Sequence, residues 1–418
     1  MHFLRSIGRG SVCALFIGSV TFAQYSGGTG TGGDPYQIAS SADLLTLANT
    51  SADWDKEFLQ TAHINLTAVT LGIIGNGSTP FVGVYDGGGF TISNLSHDPI
   101  TIPDVGLFGV VEGQIFNVHL IDPVINGTDT VHSDNYGALV GTLRLGSVRD
   151  CSVRGGSVTG DDKVGGLIGV VERFTVERCS AQTTVTGISQ VGGLVGRNEN
   201  ADVLESFFIG DVSGSSTVAG LVGAGVFSTI VNCFTQGSVR SSGLAAGIIA
   251  ANDTGAIIEC YSACQVSSSA SGQAGGLIGS HDGTIGPPAE VEGSFWDAQI
   301  SSTSSMCAAV GANGVGCDDQ QGLTTAAMQS QSTFLASNWD LNFTWLVCEG
   351  AAYPRFVWEG LDCVQNLVHF AAFAVEFGRS DCTVENDWCN GADVNELGGV
   401  VVNDFRLWVA NWLGLPAW

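Results

Sequence analysis

Cys151, Cys179, Ser206, Cys233 and Cys260 follow one another at intervals of 28, 27, 27 and 27 residues. If each interval is one turn of a coil, their side chains form a column with neighbours about 4.8 Å apart. That spacing lies within the Cα range of a disulfide, but parallel side chains hold the Cβ atoms slightly too far apart to be bridged. A linear stack also cannot present the tetrahedron that zinc requires. The column therefore predicts buried free thiols in a ladder of small side chains. The densest local cluster of opposite charge is Lys163 with Asp161 and Asp162. A polysaccharide lyase needs such a basic group to abstract a proton or neutralise a uronate, although an exposed polar turn accounts for the cluster equally well. A hydrolase needs two carboxylates about 5–10 Å apart, and the 40 Asp and Glu residues leave room for a pair assembled across coils. The seven histidines are dispersed, with no nucleophile motif near any of them. Gly223-Ala224-Gly225-Val226-Phe227-Ser228 lacks the third glycine and the following helix of a dinucleotide loop. No catalytic residue is assigned.

What would position these residues is a repeat. Gly137-Ala138-Leu139-Val140-Gly141 recurs as Gly165–Gly169, Gly192–Gly196, Ala219–Gly223, Ala246–Ala250 and Gly275–Gly279, with an earlier divergent copy at Val105–Gly109. Self-similarity at 27 to 29 residues marks a solenoid, in which each repeat buries its apolar face against its neighbours. Each period holds three short β-like runs broken by Gly, Ser, Asn and Asp, and none has helical spacing. The glycines suit corners that need positive φ or close backbone approach. The expectation is a right-handed parallel β-helix over about residues 58–300. Its seven coils would stack to roughly 35 Å, with Leu139, Leu167, Leu194, Leu221, Ile248 and Leu277 in one inward column.

Residues 1–23 read as a secretory signal, with Arg5 and Arg9 before an apolar stretch and Thr21-Phe22-Ala23 as the cleavage site. No other run is long and apolar enough to span a membrane. The net charge of −26 argues against nucleic acid or anionic lipid as partners. Export permits disulfides, and Cys307 and Cys317 flank a Gly-rich loop that they could close. The chain then divides into a signal (1–23), an N-terminal cap with the first coils (24–104), the repeat β-helix (105–300), a C-terminal cap region (301–358) and a helical tail (359–418). Ser41–Ala48 reads as a short capped helix at the N-terminal end. In the tail, aromatics at 370, 373 and 377 and at 405, 408 and 412 follow helical spacing, and Cys382 and Cys389 would staple the linker between them.

These phrases resemble the GLUG-motif repeat family of secreted bacterial proteins. The flanking phrases Gly33–Ile38, Phe81–Ile92, Gly322–Met328 and Tyr353-Pro354-Arg355 resemble that family's flanks, and the tail resembles a degenerate dockerin, a pair of EF-hand-like halves. Some members of the repeat family are attached to immunoglobulin-cleaving metallopeptidases; this chain has no H-E-x-x-H, so that activity does not carry over. The dockerin resemblance implies a weak calcium loop in the second half, with Asp393, Asn395 and Asp404 as side-chain ligands and Gly399 giving its main-chain oxygen. Leu397 and Val401 stand where oxygen side chains belong. The first half, with Trp358, Gly360 and His369 at ligand positions, reads as calcium-free. Together these readings give a non-catalytic secreted or cell-surface protein, acting as adhesin, scaffold or carbohydrate-contacting module. Its partners would be extracellular polysaccharide or a surface protein, with a further partner for the tail. The alternative is a β-helix polysaccharide lyase or hydrolase.

Overall fold

The computed structural model describes residues 24–361 and 363, except 101, 128–133, 284–289, 302 and 312–313. The signal, the Cys382 and Cys389 staple, both aromatic tail segments and the proposed calcium ligands Asp393, Asn395, Gly399 and Asp404 lie outside these residues. What is described is a parallel β-solenoid of about nine turns, with two α-helices, Ser41–Asn49 and Gln331–Leu335.

The solenoid exceeds the seven coils expected. A ten-stranded sheet runs from Tyr36–Ile38 to Val291–Glu292, and a twelve-stranded one, here the broad sheet, from Ile64–Asn65 to Gly322–Leu323. The added turns, Tyr36–Ile38 to Thr91–Ser93, fall in the region of first coils expected at 24–104 and carry the hydrophobic alternation without the glycine phrase, so motif copies do not count them. The motif itself forms an eight-stranded sheet, in which Val140, Ile168, Val195, Val222, Ile249 and Ile278 are successive register partners. A fourth sheet of five short strands begins with Asp162–Gly165, so these turns have four faces where the sequence suggests three. The difference arises because strands of two to four residues are too short to show an alternation.

The leucine column is as expected. Leu139, Leu167, Leu194, Leu221, Ile248 and Leu277 are all fully buried. Each of the first five donates its backbone N–H to the next, at 2.8–3.2 Å. Glycine is required beside it for space. A Cβ on Gly193 would lie 2.1 Å from the Gly220 carbonyl oxygen and 2.3 Å from Phe208.

The corner before the cysteine column departs from expectation. Asn117, Asp150, Arg178, Glu205, Asn232 and Glu259 occupy it with φ of 45–56°, where glycine would be easier. Such backbone costs about 1–3 kcal/mol per residue and persists only where its surroundings over-determine it. Here the hydrogen-bond ladder does so. Asp150, Arg178, Glu205, Asn232 and Glu259 each donate N–H to a carbonyl of the next turn at 3.0–3.1 Å. Just inside, Cys151, Cys179, Cys233 and Cys260 are buried free thiols, as expected, and Cys264 is a fifth. Each column thiol points at the carbonyl two residues back, at 3.1–3.3 Å. Ser206 makes the same contact at 2.7 Å. Burial pushes the thiols of Cys151 and Cys233 well above their usual range.

The helix Ser41–Asn49 covers the first turn. Ser40 caps it by accepting from the Asp43 N–H at 3.3 Å, and Leu44 and Leu47 are buried beneath it. The Cys307–Cys317 disulfide forms, and a second bridge, Cys348–Cys363, was not anticipated. Among the described residues no helix is long and apolar enough to cross a membrane.

A candidate groove on the side of the solenoid

Along the outer face of the broad sheet, one column of side chains changes character from turn to turn. In register it runs Thr91, His119, Ser152, Ser180, Phe207, Phe234, Tyr261, Phe295. The aromatic half is stacked flat: Phe207 on Phe234 at 4.7 Å and 7°, and Phe234 on Tyr261 at 5.1 Å and 2°. An outward aromatic ladder needs a cover, and the chain supplies one from its own C-terminal region. Beyond the last turn it folds back along the side, placing Phe334, Trp339, Trp345 and Phe356 over the ladder in one buried cluster. Each such ring removes area from water worth roughly 1.5–3 kcal/mol.

Polar tips fix the position of this flap. Trp339 Nε1 donates to the Gly293 carbonyl at 2.7 Å and Trp345 Nε1 to Asn232 Oδ1 at 3.1 Å. Tyr261 Oη donates to the Pro354 carbonyl, and Tyr353 Oη to Asp297 Oδ2, both at 2.6 Å. Arg355 lies 5.3 Å over both the Phe207 and Phe234 rings and pairs with Glu359. The pairing neutralises a cation that is largely buried.

Where the flap ends, the polar half of the column begins, and a groove of about 540 Å³ opens between them. Its floor is formed by the strands His119–Ile121, Ser152–Thr159 and Ser180–Thr186, which turn alternate side chains outward. His119 Nδ1 and Ser152 Oγ are 2.8 Å apart. Burial holds the His119 imidazole below its usual pKa, against a weaker pull from Asp150, so it is neutral at pH 7. Arg154 and Gln182 are register partners on the next outward column. The Gln182 Oε1 is buried without a hydrogen-bond partner among the described residues. One rim is the strained corner, where Arg178 grips Asp150 in bidentate fashion at 2.7 and 3.0 Å and also reaches Glu177 at 2.8 Å. The far end is Trp358, still 37% exposed, which lies over Phe356 at 5.3 Å and 13° and over Phe207 at 6.0 Å and 29°.

Lys163 is not part of this groove. It lies on the short strand Asp162–Gly165, pairs with its neighbour Asp162 at 2.8 Å and serves the backbone ladder by accepting from the Tyr136 N–H. The Gly223–Ser228 stretch is largely the strand Val222–Val226. Among the described residues no group of three or more His, Cys, Asp or Glu side chains is placed to hold a metal ion. Sequence reasoning missed His119, Arg154 and Gln182, and it read Trp358 as a ligand position of the calcium-free half of the tail, where the structure stacks it on Phe356 and Phe207. The available signal was the residue after each column cysteine or serine, which changes from Ser at 152 and 180 to aromatic at 207, 234, 261 and 295.

No family model matches the chain. An alignment 173 residues long, covering 38% of this chain, is 35% identical to Halomucin of Haloquadratum walsbyi and spans 2% of that protein's length. Among solved structures, a Bacteroides ovatus protein provisionally described as an immunoglobulin A1 protease aligns with 80% of this chain and 96% of its own. The TM-score is 0.50 at 18% identity, a likeness of fold.

Proposed function

We propose that this chain is a non-catalytic secreted or cell-surface rod, wound right-handed, that contacts carbohydrate through the groove beside Trp358. One observation carries the reading. A half-exposed indole lies flat at the end of a cleft whose floor offers hydroxyl, imidazole, amide and guanidinium groups. A sugar ring has an apolar C–H face and an equatorial rim of hydroxyls, so it needs this pairing of aromatic plate and polar donors. The groove volume falls in the range of ligand sites. Fold alone assigns no function, so the reading rests on the groove. Two further features accord with it. The disulfides fit an oxidising extracellular setting, and the relative sharing part of the sequence carries a mucin name. On sequence grounds, residues 359–418 serve as a dockerin-like module that binds a surface partner, with Asp393, Asn395, Asp404 and the Gly399 carbonyl as a weak calcium loop.

The test is a glycan array probed with the full chain and with Trp358→Ala, followed by incubation with each bound polymer. The expected result is binding that falls at least about tenfold in the variant, with no soluble product released; tenfold corresponds to roughly 1.4 kcal/mol, within the range of one stacked ring. Binding unchanged in Trp358→Ala removes the groove from the reading. Release of unsaturated or reducing-end products replaces it with the lyase or hydrolase alternative.

A further inference from the structure

The charges around the groove do not share the sign of the whole molecule. The chain carries 14 Lys and Arg against 40 Asp and Glu, yet three of those arginines, Arg154, Arg178 and Arg355, line one cleft. Two of them are already answered. Arg178 is held by Asp150 and Glu177, and Arg355 by Glu359. Arg154 is exposed and has no ion-pair partner among the described residues, and its neighbours across the sheet are the uncharged Ile121 and Gln182. His119 adds no charge at neutral pH. Of the three arginines in the lining, Arg154 is therefore the one that no described carboxylate grips. Beside it sits the buried oxygen of Gln182, an acceptor with no donor among the described residues.

We propose that the groove selects an anionic glycan bearing one acidic group per bound segment, with Arg154 receiving the anion and Gln182 accepting from a neighbouring sugar hydroxyl. This rests on reading the groove as a glycan site. The guanidinium fork suits a uronate carboxylate or a sulfate ester equally, since both present two oxygens for paired hydrogen bonds. The single charge sets the density of acid in the ligand. A polymer acidic at every ring would meet the −26 surface on either side of the groove. A sparsely acidic chain places its charge at Arg154 and neutral rings over Trp358 and the polar floor.

The experiment uses the full chain and matched oligosaccharides: a uronate-substituted glycan, the same glycan with its carboxyl reduced to the alcohol, and its sulfated counterpart. Wild type is expected to bind the acidic members about tenfold more tightly than the reduced one, a factor equal to roughly 1.4 kcal/mol, with the preference declining as salt is raised. Arg154→Gln abolishes the preference, so that acidic and reduced glycans bind the variant alike, and Trp358→Ala weakens all three. Which acidic member gains more tells carboxylate from sulfate. If acidic and reduced glycans bind wild type equally, or if Arg154→Gln keeps the preference, the anion assignment is overturned while the glycan site stands. If no member of any matched set binds wild type, both fall. Because Arg154 is exposed, unchanged melting of the variant checks that only the ligand contact was altered.

Discussion

Glu259 shows how tightly this fold constrains single residues. It holds a left-handed backbone (φ 51°) so that its N–H can reach the Glu292 carbonyl at 3.0 Å. Burial raises its carboxyl pKa first, with Glu292 and Asp340 pushing the same way. A folded pKa above the unfolded value means that stability present below about pH 4.3 is lost as pH rises through the folded value. Glu259→Gln keeps the shape and the ladder while removing the charge. It is expected to raise the melting temperature at pH 7, by the few tenths of a kcal/mol usual for partly exposed sites. The gain should disappear near pH 4, where native Glu259 is protonated. Melting curves at the two pH values decide it; an equal gain at both would show that charge is not the cause.

At the scale of the elements, the motif glycines and the leucine ladder act as one device. The backbone of each turn comes close enough to the next that a single methyl has no room: at Gly193 it would meet the Gly220 carbonyl oxygen at 2.1 Å. Because the obstacle is backbone, a rotamer change cannot relieve it. Gly193→Ala is expected to cost about 1–3 kcal/mol, the usual range of overpacking. The same change at Gly33, where nothing lies within 4 Å, should cost almost nothing. Denaturant midpoints of the two variants test this. Near-equal stability would mean that the turns can slide apart, contrary to a ladder bonded at 2.8–3.2 Å.

At the scale of the whole molecule, a charged rod is covered along part of one side by its own C-terminal flap, and the groove lies where that cover stops. The flap is held by aromatic burial, the Arg355–Glu359 pair and the Cys348–Cys363 bridge. Beyond it the chain continues into the proposed docking module. If the loop there binds calcium through Asp393, Asn395 and Asp404, the missing oxygens at Leu397 and Val401 place its Kd at ~10⁻⁴–10⁻³ M. Leu397→Asp should tighten it by restoring a ligand. Calorimetric titration of the full chain with calcium measures both. Micromolar binding in the native sequence would mean that the ligands lie elsewhere, and no binding even in Leu397→Asp would mean that the loop is not of EF-hand type.

The sequence by itself determined the solenoid, its inward leucine column and the buried thiols. Each depends on a repeat of 27 to 29 residues and on the stacking distance between parallel strands, both local and periodic quantities. It also predicted the Cys307–Cys317 bridge, whose ends are ten residues apart. The turns before the first motif were expected within residues 24–104, but their number was not, because apolar alternation without the glycine phrase has no fixed period to count. The corner residues were hidden because positive φ in Asp150, Arg178 or Glu205 is imposed by hydrogen bonds from the next turn, against local preference. Only the tertiary structure decided the groove. It joins Arg154 and Gln182, one turn apart, to Trp358, some 200 residues downstream. That meeting depends on the flap doubling back to bury Phe207, Phe234, Tyr261 and Phe295, a long-range hydrophobic contact that no periodicity encodes.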